Sequence, residues 1–89
     1  MKSIAKHISK LEQIKEELEQ MKDALESRIE ERENIFNDRS EKWQNSENGE
    51  DYDNRTQDLQ DELLEFTSAL EQLEESIELF AKFEEQYAQ

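Results

Sequence analysis

Between residues 52 and 87 a largely apolar stripe recurs at alternating spacings of four and three: Tyr52, Thr56, Leu59, Leu63, Phe66, Leu70, Leu73, Ile77, Phe80 and Tyr87, with Glu84 the one break. This spacing is that of a coiled-coil seam. A helix carrying it needs a partner along its whole length, because a stripe of Leu and Phe left in water makes an isolated helix unstable or prone to aggregate. The rest of the chain must supply or tolerate that partner.

With 89 residues the chain makes one domain at most. A chain of this size buries roughly 60 to 65 per cent of its unfolded surface, so association is the expected remedy for a marginal core. Charged residues make up 40%, Pro is absent and Gly occurs once, a composition that belongs to long helices rather than strands. Cys is also absent, which removes disulfides and thiolate chemistry and fits a reducing, cytoplasmic setting. No stretch approaches the roughly 18 apolar residues of a membrane span, and the start of the chain lacks the apolar core of a secretory signal.

Upstream, Ile4, Leu11, Leu18 and Leu25 take d positions of a heptad, and Ile8, Ile29, Phe36 and Trp43 take a positions. Lys15, Lys22, Arg32 and Arg39 fill the remaining seam sites. These bases are expected to lay their alkyl stems over the partner helix and project charge toward its acidic flank. Ile14, Met21 and Ile35 sit at g, so the apolar face is wider than a two-stranded coil needs. The pattern predicts one helix over about residues 3 to 46, a turn over about 47 to 50, and a second helix over about 51 to 87. Gly49 is expected at a left-handed position closing the first helix, with Asp51 or Asn48 capping the second. The weaker alternative is a kink at Asn37–Ser40, with Ser40 as N-cap.

Folding the chain back about Asn48 sets Trp43 opposite Tyr52, Phe36 opposite Leu59, Ile29 opposite Phe66, Leu25 opposite Leu70, Leu18 opposite Ile77 and Ile8 opposite Tyr87. The expected fold is therefore all-α: an antiparallel two-helix coiled-coil hairpin. Two helices alone cannot enclose side chains as large as Phe66, Phe80 and Leu70, and Leu64, Ala69, Leu79 and Phe83 add apolar surface off the seam. A two-fold dimer forming a four-helix bundle would cover it; so would docking on another protein. The expected interface comprises Trp43, Tyr52, Leu64, Phe66, Leu70, Leu79 and Phe83. For Trp43 and Tyr52 two roles stand: a plug that closes the hairpin beside its turn, or a partly exposed anchor for a partner.

The stretch from Arg39 to Tyr52, reading Arg-Ser-Glu-Lys-Trp-Gln-Asn-Ser-Glu-Asn-Gly-Glu-Asp-Tyr, resembles the hairpin tip of small uncharacterised helical proteins of bacteriophages and bacterial mobile elements. The resemblance covers about 14 residues. It implies a phage or prophage setting and assigns no activity, cofactor or residue role.

Candidate chemistry is sparse. A di-metal carboxylate bundle needs Glu-x-x-His pairs, and the one His, His7, has Ile4 three residues before it. The carboxylate pairs Glu16–Glu17, Glu74–Glu75 and Glu84–Glu85 read as solvated helix faces, since acid–base work needs a desolvated pocket to separate their proton affinities. The serines have no base to activate them. No enzyme activity, metal or cofactor is expected.

Charge is the strongest bulk signal: 25 acids against 11 bases, a formal net charge of -14. Residues 1 to 47 hold 12 acids and 9 bases, whereas residues 48 to 89 hold 13 acids and only Arg55 and Lys82. Direct binding to nucleic acid is disfavoured, because that affinity comes from Lys and Arg displacing counterions. Asp58, Asp61, Glu62, Glu65, Glu71, Glu75 and Glu78 lie mainly off the seam, spaced to array carboxylates along a rod. The expected function is thus a non-enzymatic interaction or assembly module acting as a homodimer. The alternative is an acidic nucleic-acid mimic that occupies the groove of a basic host protein.

Overall fold

The computed structural model describes residues 4–87 of the chain, with the side chain of Tyr87 left out. The expected helix start at residue 3 and the seam role of the Tyr87 side chain lie outside the described residues. The chain is all-α, with no strand among the described residues. Helix α1 spans Ala5–Asp38, α2 is a single turn over Glu41–Gln44, and α3 spans Glu47–Tyr87. Together they form a rod 68 Å long and 15 × 12 Å across.

These bounds correct the expected ones. The first helix ends at Asp38 rather than near residue 46, and the third begins at Glu47 rather than Asp51. The break falls where the weaker alternative put it. Arg39 takes an extended conformation, and Ser40 becomes the N-cap of α2, its Oγ accepting a hydrogen bond from the Trp43 N–H at 3.2 Å. A helix end leaves carbonyls without partners. Here the Gln44 side-chain amide donates to Phe36 O at 2.9 Å and to Arg39 O at 3.1 Å. Ser46 then caps α3: its Oγ accepts from the Gly49 N–H at 3.2 Å and donates to Trp43 O. Neither Asp51 nor Asn48 plays that part.

Gly49 itself sits in the first turn of α3 with negative φ, not at a left-handed helix end. Its hydrogen is needed for a different reason. A Cβ at this position would lie 2.1 Å from the Trp43 carbonyl oxygen and 2.8 Å from that of Gln44, so only glycine lets the start of α3 press against the backbone of α2.

Low-numbered residues of α1 meet high-numbered residues of α3, and the register differs from the expected one by a heptad. The Ile4 N–H donates to a Glu84 carboxylate oxygen at 2.8 Å, Arg32 Nε donates to Thr56 Oγ1 at 3.0 Å, and Lys15 Nζ lies 3.3 Å from Glu74. Partner numbers therefore sum to 88 or 89 rather than 95. The shift follows from the earlier break: residues 39 to 46 are consumed in a compact double turn, and only the tip pair Trp43–Tyr52 keeps the expected match. Because the seam repeats every seven residues, both registers set apolar positions against apolar ones. Ile8, Ile29, Leu59, Leu70 and Ile77 form the buried core.

Alanine has about 1 kcal/mol higher helix propensity than glycine, yet Gly49→Ala is expected to lower the melting temperature by roughly 10 °C or more. Gly49→Asn, which a left-handed position would tolerate, is expected to do no better. A thermal melt that rises or stays level in either variant contradicts the close-approach explanation.

Candidate functional site

Two kinds of surface bear on function: a polar and aromatic cluster near the tip, and the two flanks where α1 and α3 meet. In the cluster Arg32 comes from a seam position of α1. Its Nη2 donates to Tyr52 O at 3.1 Å, its guanidinium carbon lies 3.9 Å from the centroid of the Tyr52 ring, and Thr56 Oγ1 donates to Tyr52 O at 3.1 Å. Thr56 is only 4% exposed, so its hydroxyl and the guanidinium satisfy each other away from bulk water. Trp43 packs edge-on against both Phe36 and Tyr52, with ring centroids 5.9 and 5.7 Å apart, and the Arg39 guanidinium covers it at 4.1 Å.

Of the four seam bases, then, two stack on aromatic rings near the tip. Lys15 reaches across to Glu74 and also to Glu19 at 3.6 Å, while Lys22 turns to Glu26 of its own helix. The Lys15 ammonium is held above its ordinary pKa, chiefly by its hydrogen bond to Glu74; charge attraction from Glu74 and Glu19 adds to this and desolvation opposes it. Glu84, which interrupts the apolar run, supplies a carboxylate to the positive end of α1, where no residue of the first turn is acidic.

The two flanks have opposite character. Positions that follow a d site carry Glu12, Glu19, Glu26 and Glu33 on α1 and Asp53, Gln60, Thr67 and Glu74 on α3; Gln60 Nε2 donates to Glu33 across this side. Positions that precede an a site carry His7, Ile14, Met21, Arg28 and Ile35 on α1, and Arg55, Glu62, Ala69, Ser76 and Phe83 on α3. One side is acid-rich with no base of its own. The other is acid-poor, and its Glu62 lies 3.5 Å from Arg55.

The residues expected at an interface are divided between these surfaces. Trp43 and Tyr52 are half-buried at the tip, Leu70 is buried, and Phe66 is half-buried within the seam. Leu79 and Phe83 are exposed, and Phe83 lies on the acid-poor side, bordering a notch with Ile4, His7, Ile8, Leu11 and Phe80. Leu64 is 70% exposed, but it follows the seam residue Leu63 and so lies toward the acid-rich side. The seven acids Asp58, Asp61, Glu62, Glu65, Glu71, Glu75 and Glu78 are all exposed. At 100° per residue they spread around the outer surface of α3 rather than forming one file. Glu71 and Glu78 border grooves that also hold Lys15 and Glu74. Among the described residues no cluster of His, Cys, Asp or Glu is arranged to hold a metal ion, and no helix is long and apolar enough to cross a membrane.

The roles of Arg32, Gln44, Ser46 and Glu84 escape a reading of the seam alone. Polar residues at seam positions are the signal that could have exposed two of them: Arg32 and Glu84 each need a polar partner. Gln44 carries no local signal. No protein-family model, curated protein or solved structure matches the chain.

Trp43→Ala removes the ring that joins Phe36 to Tyr52. A loss of about 2 kcal/mol is expected for this half-buried side chain, a fall of roughly 8 to 16 °C in melting temperature. A melt shifted by less than 3 °C would show that the cluster does not hold the tip together.

Proposed function

We propose that this chain is an antiparallel coiled-coil hairpin that dimerises into a four-helix bundle and serves as a non-enzymatic assembly module. The exposure of large apolar side chains carries this reading. Met21 is 60% and Leu79 65% exposed, and Ile14, Ile35 and Phe83 lie between 42% and 48%. Scattered exposed apolar residues are ordinary, but Ile14, Met21 and Ile35 recur at heptad steps on one side of one helix, which marks a face rather than a scatter. The cross-helix partners Ile4–Glu84, Lys15–Glu74 and Arg32–Thr56 support the hairpin. The resemblance of Arg39–Tyr52 to proteins of bacteriophages and bacterial mobile elements supports a phage or prophage setting for the module, and the absence of Cys fits a reducing, cytoplasmic one.

A second reading draws on the acid-rich side. There Glu12, Glu19, Glu26, Glu33, Asp53 and Glu74 bring no base of their own, and the exposed acids of α3 extend the field outward. Such a rod attracts a basic groove and speeds encounter with it. In this reading the protein mimics nucleic acid and inhibits a basic host protein.

Sedimentation equilibrium separates assembly from a solitary hairpin: a mass twice that of the 10.7 kDa chain is expected at micromolar concentration, and a single-chain mass contradicts the dimer. For the mimic, Glu71, Glu75 and Glu78 changed together to Lys should abolish capture of a basic nucleic-acid-binding protein while the oligomer persists. Unchanged capture rules that reading out.

A further inference from the structure

We infer that the second copy docks on the acid-poor flank. The inference rests on the dimer proposed above and adds its face.

Two rods that each carry a net charge of -14 repel one another over most of their surface. On the acid-rich side the opposed carboxylates would outnumber Lys15 and Lys22, which already lie within 3.6 Å of Glu19 or Glu26. Beside the seam on the acid-poor side the single acid is Glu62, bridged to Arg55, with a further base in Arg28; Glu17, Glu31, Asp58 and Glu65 lie farther out, at its border. It is also the side that exposes Ile14, Met21 and Ile35. Apolar surface and the weaker like-charge repulsion therefore coincide on one flank. That pairing suits a partner as acidic as the chain itself. Some 45 Å of helix separate Ile4 from Ile35 at 1.5 Å per residue. Across a rod 15 Å wide, this offers roughly 700 Å² per copy, close to what a stable complex buries.

Sedimentation equilibrium on Met21→Glu, with Ile14→Glu as a second variant, tests the face. Both are expected to stay helical by circular dichroism and to weaken the dimer by roughly 100-fold or more, since each buries two unpaired charges across the axis. Leu64→Glu, at a residue still more exposed but off the flank, is expected to leave the dimer intact. If the unaltered chain is monomeric, the dimer itself is wrong. If it is dimeric and Met21→Glu remains so, only the face is wrong.

Discussion

Arg32 is a guanidinium set in a row of apolar side chains, and its place there costs free energy unless something polar stands opposite. Thr56 Oγ1 at 3.0 Å and Tyr52 O at 3.1 Å meet that need. At the other end of the rod Glu84 interrupts the seam of α3, and its carboxylate accepts the Ile4 N–H. Slide α3 by one heptad and the apolar contacts survive, Leu for Leu, but Arg32 would face Leu63 and Glu84 would face Leu11. A buried polar group left without a partner costs about 1 to 3 kcal/mol, and the half-buried Arg32 and Glu84 would each lose part of this. Two such losses are large beside the marginal stability of a chain this short. The apolar stripe thus supplies the attraction between α1 and α3, and the two polar interruptions choose among registers that the stripe leaves nearly equal in energy.

The same division between apolar stripe and polar interruptions decides how much of the fold is legible in the sequence. The all-α class and the seam from Tyr52 to Phe80 follow from periodicity, and the core residues Ile8, Ile29, Leu59, Leu70 and Ile77 all fall on it. Periodicity is blind to a shift of seven, so the register is set by the partner that each polar seam residue finds. Gly49 misled for a related reason. Glycine serves both left-handed conformations and close backbone approach; the first would end the helix near residue 46, whereas the second applies and α1 ends at Asp38. The signals for the actual tip were side-chain caps. Ser40 reads as a candidate N-cap locally, but the reach of Gln44 back to Phe36 O is a tertiary event that no spacing rule contains.

The tip and the flanks are connected through this register. Where α1 turns at Arg39 decides which residues of α3 stand beside which of α1, and so where charge collects. In the observed register the seam lysines Lys15 and Lys22 serve the acid-rich side, while Arg28, Arg55 and the exposed Ile14, Met21 and Ile35 share the other. The partition between flanks was hidden in the bulk count of 25 acids and 11 bases. The proposed functions draw on different sides of one rod, assembly through the acid-poor flank and any capture of a basic partner through the acid-rich one. They are therefore physically compatible.

The register is the claim on which the rest depends, and the absence of cysteine makes it directly measurable. Leu18 and Leu70 line one groove between the helices, so a Leu18→Cys/Leu70→Cys chain should close an internal disulfide under mild oxidation at low concentration. Leu25→Cys/Leu70→Cys should not, because seven residues of helix displace the sulfur atoms by about 10 Å. Closure of the second pair in preference to the first would contradict the register, and with it the assignment of the flanks.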